Sequence, residues 1–412
     1  MIGVDERSFF LIIVVSVIAG LIATILPKKV APPVIVVELL LGIVIGPQLL
    51  GWVEMDGFIE FFRNLGLGML FFFAGYEIDF DRVKGRPLKL GLLAWVISVG
   101  IAFGLGGLLV AAGLVISFLY TGAAMTSTSL GALIPILNDA GQSKTKFGTF
   151  TIAAAACAEF GPILLLTLVL TGGQPWREAI VLIFFLLVAV LTALISVRAS
   201  WRSWPLLERS LDLSSQLAVR VTVLLIFSLV FLAEGLGLDV LLGGFVAGMI
   251  VRASLRGRET AQFESKVYAI GFGFLIPFFF VSSGVAFDLD ALIGTTDAII
   301  KLPIFLVLMI LARGLPALLL YRGEFNPRQR RAFALLSATQ LPLVVAIATI
   351  GVEEGNMLPS TAAALIGAAV LTMLLFPLIG MSLLQGRDGK SPPGAGARRP
   401  AHSSSRARGR GA

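Results

Sequence analysis

A chain of 412 residues that is 57% hydrophobic and only 14% charged lies far outside the range of soluble globular domains and belongs in a membrane. Its net charge of +7 is carried by short loops between apolar stretches and by a basic tail, so nucleic acid is not the partner it points to. One cysteine, Cys157, leaves no internal disulfide or thiol metal cluster, and the only histidine, His402, lies in the tail, away from any intramembrane chemistry.

Apolar stretches of about twenty residues, about thirteen in number, are too long for barrel strands and right for spanning helices, which predicts an all-α membrane protein. They fall at 8–27, 31–50, 58–78, 88–111, 114–138, 147–171, 177–197, 216–235, 239–254, 267–286, 297–321, 331–351 and 360–384. The first follows Asp5, Glu6 and Arg7 without a small-residue cleavage site and is expected to be a retained helix. Basic loops, such as Arg82/Lys84/Arg86/Lys89 and Arg322/Arg328/Arg330/Arg331, alternate with acidic or neutral ones, such as Glu54/Asp56, Glu234/Asp239 and Glu353/Glu354. Lysine and arginine stay on the cytoplasmic side, so the N-terminus is expected outside and the C-terminus inside.

The string LLGIVIG at 40–46 returns as LGGFVAG at 242–248, and LGMLFFFAGYEIDFD at 67–81 is echoed by FLIPFFFVSSGVAFDLD at 274–290. Helices 2 and 9, and 3 and 10, would cross in opposite directions, so this is read as an inverted repeat. Repeat one covers 8–171, a linker helix 177–197 and repeat two 216–384, which together make a transmembrane domain of residues 1–385. Glu38 and Glu77 lie near cytoplasmic helix ends and are candidates for a cation-attracting funnel.

Helix 5 is interrupted by Thr126-Ser127-Thr128-Ser129, and its counterpart helix 12 by SATQLP at 337–342. Broken helices expose amides and carbonyls that hold an ion at the midplane, where intact helix backbone cannot. Pro135 and Pro342 are expected to free the carbonyls of Gly131 and Ala338. Gln340 is a candidate to cap or gate the second break.

Glu159 lies in the run 147–170, ~18 Å from either end at helical rise. A carboxylate at that depth costs several kcal/mol unless paired or hydrated, so it is read as an ion or proton site. Pro162 frees the carbonyl of Ala158 and should kink the helix there. Glu159, Thr126, Thr128, Ser129 and exposed carbonyls offer only oxygens, the ligands a hard alkali cation prefers. Arg313 lies roughly 14 Å along its helix from Arg322, beyond comfortable snorkelling, and needs an internal partner. As a permanent counter-charge it would stabilise the empty carboxylate and the packing of the broken helices. Lys301, nearer the outer end, is expected to snorkel to the interface, and Trp52, Trp95 and Trp176 to be interfacial aromatics. Residues 386–412, rich in Gly, Pro, Ser and Arg, are expected to form a disordered basic cytoplasmic tail able to touch lipid headgroups.

The segments ELLLGIVIGPQLLG at 38–51, FFFAGYEIDFDRVKG at 71–85, GAAMTSTSLGALIPILNDAG at 122–141 and LGGFVAGMIV at 242–251 resemble the bacterial monovalent cation/proton antiporters, in the branch of sodium/proton exchangers and potassium-efflux antiporters. The resemblance covers nearly all of 8–385 and is to the membrane domain only. It implies thirteen helices with two crossed discontinuous ones, a panel of helices 1–3 and 8–10, and a core of helices 4–6 and 11–13 that moves by alternating access in a homodimer. It also implies a bacterial inner-membrane location, no cofactor, and a monovalent cation and protons as the transported partners. The family's essential aspartate, usually preceded by Asp, Asn or Gln, falls on Ala158-Glu159, and its core-helix cation on Arg313. One carboxylate beside a fixed positive charge favours one cation exchanged per proton, hence electroneutral exchange. The alternative is a sodium-coupled symporter of a small organic anion on comparable crossed helices. An enzyme is disfavoured, since no histidine lies near a serine in the membrane and no aspartates pair at helix centres.

Overall fold

The computed structural model describes residues 5–25, 33–78, 83–165, 175–238, 240–256, 258 and 260–385. The tail 386–412, and parts of the expected spans such as 166–171, lie outside the described residues. Among the described residues there is no strand. The helices are α1 (Glu6–Ile25), α2 (Val34–Ile45), α3 (Gly57–Tyr76), α4 (Arg86–Ala111), α5a (Phe118–Met125) and α5b (Leu130–Asp139), α6 (Lys146–Leu165) and α7 (Pro175–Leu211). They continue with α8 (Leu217–Gly235), α9 (Val240–Ser254), α10 (Ala261–Val285), α11 (Thr296–Gly323), α12a (Pro327–Ser337) and α12b (Pro342–Glu353), and α13 (Pro359–Gln385). Ten of these, counting the two halves of α12 as one, are long and apolar enough to cross a membrane; α2 and α9 are shorter apolar helices.

Local chemistry sets several of these boundaries. Asp56 caps α3 by accepting the Ile59 amide at 2.7 Å. Asn326 and Gln329 form a reciprocal capping box at the start of α12a, with Pro327 in the first helical position where its missing N–H is harmless. α2 stops at Gly46-Pro47, short of the expected residue 50, because the chain turns back through Gly51 at φ +62°. Both α10 and α11 widen into a π turn, at Gly271–Leu275 and Ile310–Gly314. Pro277 and Pro316 follow closely, each depriving the carbonyl four residues back of its helical partner and crowding it, which the wider turn relieves.

The packing carries the internal symmetry. α2 lies against α10 so closely that a Cβ on Gly42 would sit 2.2 Å from the Val281 carbonyl oxygen, and one on Gly284 2.2 Å from that of Leu39. α3 lies against α9 in the same manner: a Cβ on Gly75 would sit 1.9 Å from the Phe245 carbonyl oxygen, and one on Gly248 2.0 Å from that of Phe72. Exchanging helix 2 with 9 and 3 with 10 turns one crossing into the other, as the inverted repeat requires. The pairs α4–α6 and α11–α13 are related likewise. One group of packed helices is thus α1–α3 with α8–α10, a second is α4–α6 with α11–α13, and they meet where α3 touches α5b, α9 touches α6 and α2 touches α13.

Three expectations need correction. The linker helix does not end near residue 197 but runs as a helix of 37 residues to Leu211, where Asp212 accepts from Gln262 at 2.7 Å and Ser210 accepts the Ala218 amide at 3.3 Å. Basic charge ends the apolar run without ending the helix, since arginine is itself a good helix former. Lys301 does not snorkel: it is 2% exposed, paired with Asp297 one turn back and donating to Thr361 of α13 at 3.2 Å. Trp95 is not interfacial either; its ring packs on α6, where a Cβ at Gly161 would lie 2.2 Å from it. Trp176 is among the residues whose side chains are not described.

Candidate functional site

The two breaks, Thr126–Ser129 and Ala338–Leu341, cross each other at the centre of the second helix group. Their backbones are joined directly, the Ser129 amide donating to the Thr339 carbonyl at 2.9 Å. A helix break in lipid leaves orphan groups that must find partners inside the protein, and each break here supplies them to the other. Gln340 reaches across to donate from Nε2 to the Met125 carbonyl at 3.1 Å, capping the C-terminal end of α5a, while its own amide donates to Thr372 of α13 at 3.0 Å. The Ser127 hydroxyl lies 3.4 Å from Gln340 Oε1. Thr126 turns back on its own helix, donating to Ala123 at 2.8 Å.

Glu159 projects from α6 into this crossing and is 4% exposed. Its Oε2 accepts the amide of Leu130, the first residue of α5b, at 2.8 Å. That is a carboxylate on a helix N-terminus, where the free amides and the macrodipole both favour negative charge. The carbonyl of Ala158, which Pro162 leaves without a helical donor, accepts the Thr128 amide at 3.3 Å. α6 is therefore tied to the first break at Thr128 and to the start of α5b at Leu130. Expected to open the Ala338 carbonyl, the second break instead puts those of Ser337, Thr339 and Gln340 to use, because the chain leaves helical geometry altogether over four residues rather than kinking at Pro342.

Arg313, 3% exposed, sits in the π turn of α11. Its Nε donates to the Thr128 hydroxyl at 3.0 Å and to the Ser337 carbonyl at 3.3 Å, and Nη1 to Ser98 of α4 at 3.0 Å. Thr128 itself donates to Ser337. The guanidinium thus pins the crossing from α11, and among the described residues no ion pair joins it to Glu159. In this conformation the Thr128 hydroxyl is engaged by Arg313 and Ser337, leaving Glu159 and the residues around Ser129 as the open part of the expected oxygen set.

Beside the crossing, between the two helix groups and on the face carrying the basic loops, lies a cavity of about 280 Å³. Glu77, Tyr268, Tyr76, Glu264, Arg252 and Asn138 line it. Tyr268 donates to Glu77 at 3.2 Å and Tyr76 to Glu264 at 2.8 Å, while Arg252 Nη1 lies 3.5 Å from Glu264. The other Glu77 oxygen, Oε2, is buried without a hydrogen-bond partner. Glu38 does not reach this cavity; it is buried on α2.

Ser98, the Leu130 amide, Thr372 and Tyr268 were not legible in the sequence. A lone serine in an apolar helix is most often bonded to its own preceding turn, and Ser98 does donate to Ala94 at 2.9 Å as well as serving Arg313, so nothing in the local sequence separates the two roles.

The family description "Sodium/hydrogen exchanger, transmembrane" matches residues 13–385. The putative Na(+)/H(+) antiporter YjbQ of Bacillus subtilis is 29% identical over 387 residues, covering 89% of this chain; the chain spans only 62% of that relative's length. The Na(+)/H(+)-K(+) antiporter GerN of Bacillus cereus is 23% identical, with 90% of this chain and 95% of that protein covered. Among solved structures, the sodium proton antiporter MjNhaP1 from Methanocaldococcus jannaschii at pH 8 matches over 92% of this chain and 96% of its own, with a TM-score of 0.64 at 18% identity, a likeness of fold.

Proposed function

Because this chain belongs to the transmembrane sodium/hydrogen exchanger family, we propose that it exchanges a monovalent cation, sodium or potassium, for protons through the crossing of α5 and α12. The observation that carries the reading is the buried Glu159 carboxylate held on the first amide of α5b. Such a group binds a proton or an alkali cation, and the two compete because either one neutralises the charge that attracts the other. Ser129 and Thr126, with Thr128 once Arg313 moves off it, complete the oxygen set around the cation. Arg313 keeps its charge throughout and, while Thr128 is released to the cation, stays anchored to Ser337 and Ser98. With one exchangeable carboxylate, one cation leaves for each proton taken up, and exchange is electroneutral.

The inner cavity serves as the cytoplasmic approach, with Glu77 as its cation-attracting group. Alternating access comes from the core, α4–α6 with α11–α13, moving against a panel of α1–α3 and α8–α10 that dimerises in a bacterial inner membrane, N-terminus outside and C-terminus inside. Symport of an organic anion would need a roomy apolar or cationic pocket beside the ion site, whereas the cavity beside the crossing presents Glu77 and Glu264, with Arg252 already beside the latter.

Purified protein in liposomes with an internal pH dye, challenged by each alkali cation, tests the assignment. Glu159→Gln, which cannot release a proton, is expected to abolish exchange, while Glu159→Asp keeps the chemistry on a shorter arm and retains a reduced rate. Full exchange by the Gln variant would sink the site, and a current driven by a sodium gradient would sink the one-for-one coupling.

A further inference from the structure

α13 is the counterpart of α6 in the inverted repeat, and each reaches one of the two breaks. On α6 the group that does so is Glu159. On α13 it is Thr372, the only hydroxyl, amide or charged side chain between Thr361 and Ser382. Thr372 is fully buried, and a lone threonine in an apolar helix is satisfied by donating to its own preceding turn, as Thr372 does to the Ala369 carbonyl at 2.8 Å. That bond leaves its oxygen able to accept, and Gln340 uses it.

Gln340 lies between the end of α12a at Ser337 and the start of α12b at Pro342, where the backbone has left the helix and needs other partners. Its amide donates to Thr372 Oγ1 at 3.0 Å, and its carbonyl stands 3.0 Å from the same oxygen. The hydroxyl carries one hydrogen, shared between the carbonyls of Gln340 and Ala369, while it accepts the amide throughout. One side chain thus grips both backbone groups of Gln340 and fixes the direction in which the glutamine leaves the chain. That direction leads across the crossing. Nε2 ends on the Met125 carbonyl at 3.1 Å and Oε1 stands 3.4 Å from the Ser127 hydroxyl, so the glutamine holds the residues on both sides of Thr126. The line runs from α13 through the second break to the first, and Thr372, Gln340, Met125 and Ser127 are all buried.

We propose that Thr372 is a positioning residue for cation binding: by holding the Gln340 backbone it keeps the glutamine on the first break, and so sets how closely the oxygens around Thr126 and Ser129 gather on an alkali cation. The proposal deepens the exchanger reading and rests on it for the identity of the bound ion. Glu159 keeps its own anchor, the Leu130 amide, whatever Thr372 does. The threonine therefore acts on cation affinity and leaves the proton-carrying group and the maximal rate in place.

The test uses the full chain, in detergent for binding and in liposomes for flux, with sodium and potassium chloride as probes against choline chloride at equal ionic strength. Thr372→Val keeps the shape and removes the hydroxyl. Without cation it is expected to lower the unfolding temperature, because the Gln340 amide and carbonyl lose their partner. It should also raise about tenfold the cation concentration that half-saturates both the thermal stabilisation and the flux, with a maximal rate within about twofold of wild type. Thr372→Ser restores the hydroxyl and should restore the affinity. A merely structural threonine is separated by the Gln340→Ala background, which keeps the Gln340 backbone bonds and removes the side chain. There Thr372→Val should still cost stability but move the half-saturating concentration no further. If Thr372→Val does not fold, Gln340→Ala alone must show the loss of affinity. Wild-type affinity in Thr372→Val or in Gln340→Ala overturns the proposal, as does a full further loss on combining them. Cation binding that follows this pattern in a protein without flux removes the exchanger reading and leaves the positioning role standing; normal flux with unshifted half-saturation in Thr372→Val does the reverse.

Discussion

At Arg313 three acceptors on three different segments converge: Thr128 in the first break, Ser337 at the end of α12a and Ser98 in α4. Only a guanidinium serves all of them, because its donors lie in a fixed planar fork and a lysine offers a single point of charge. Arg313→Lys is therefore expected to keep the charge yet loosen the crossing, lowering the exchange rate at least tenfold in the liposome assay and the unfolding temperature along with it. Ser98→Ala removes one bond to a buried charge, about 1.5–3 kcal/mol, and should lower the unfolding temperature while leaving Arg313 anchored at the break. A lysine variant that exchanges normally would show that charge alone is what α11 supplies. Glu159 and Arg313 stood out in the sequence because ionised groups at bilayer depth are so costly that few purposes sustain them. Their partners did not, since a backbone amide at a helix start and a serine on a helix far along the chain carry no signal until the chain is folded.

At the scale of the helix, glycine decides which elements can touch. The α3–α9 crossing is so tight at Gly75 that a methyl group there would overlap the Phe245 carbonyl, whereas a methyl on Gly100 of α4 meets nothing within 4 Å. Gly75→Ala is expected to destabilise the protein by about 1–3 kcal/mol through overpacking, and Gly100→Ala to stabilise it by up to about 1 kcal/mol through helix propensity. Thermal unfolding of the two variants should move in opposite directions. The repeats were readable because these glycine-spaced strings recur; the extension of α7 was not, because its basic residues mark the end of the lipid rather than of the helix. On the face carrying the basic loops Glu324 ties α6 to α4, pairing with Lys146 at 2.8 Å and with Arg86. The Lys146 hydrogen bond, with the nearby Arg86 charge, holds the Glu324 carboxyl below its ordinary value of 4.5. The tie is thus fully present above pH 4.5 and is lost as pH falls through the lowered value. Wild type should lose stability on acidification below that point more steeply than Glu324→Gln, and parallel acid profiles for the two would show that the tie holds nothing.

For the molecule as a whole, the two helix groups are each tightly knit but share few contacts, and a cavity opens between them on either face. Stacked rings make one of the bridges: Phe160 on α6, next to Glu159, lies against Phe245 on α9 with centroids 5.1 Å apart. Van der Waals stacking of this kind is non-covalent and without register, so it permits sliding, whereas the buried hydrogen bonds inside each group do not. If the core moves past the panel to carry its carboxylate from one face to the other, Phe160 and Phe245 cannot remain in place through the cycle. Joining Phe160→Cys to Phe245→Cys with a short bis-methanethiosulfonate cross-linker, in a Cys157→Ala background, should then stop exchange, and reduction should release it. The matched control lies within the core, where Tyr120 of α5a contacts Glu354 beyond α12b; joining Tyr120→Cys to Glu354→Cys with the same reagent links elements that travel together and should leave the cycle running. Full exchange by the cross-linked Phe160/Phe245 pair would mean that the ion reaches both faces without relative motion of the two groups. Exchange lost equally in the control would place the moving joint inside the core, between α5a and α12b.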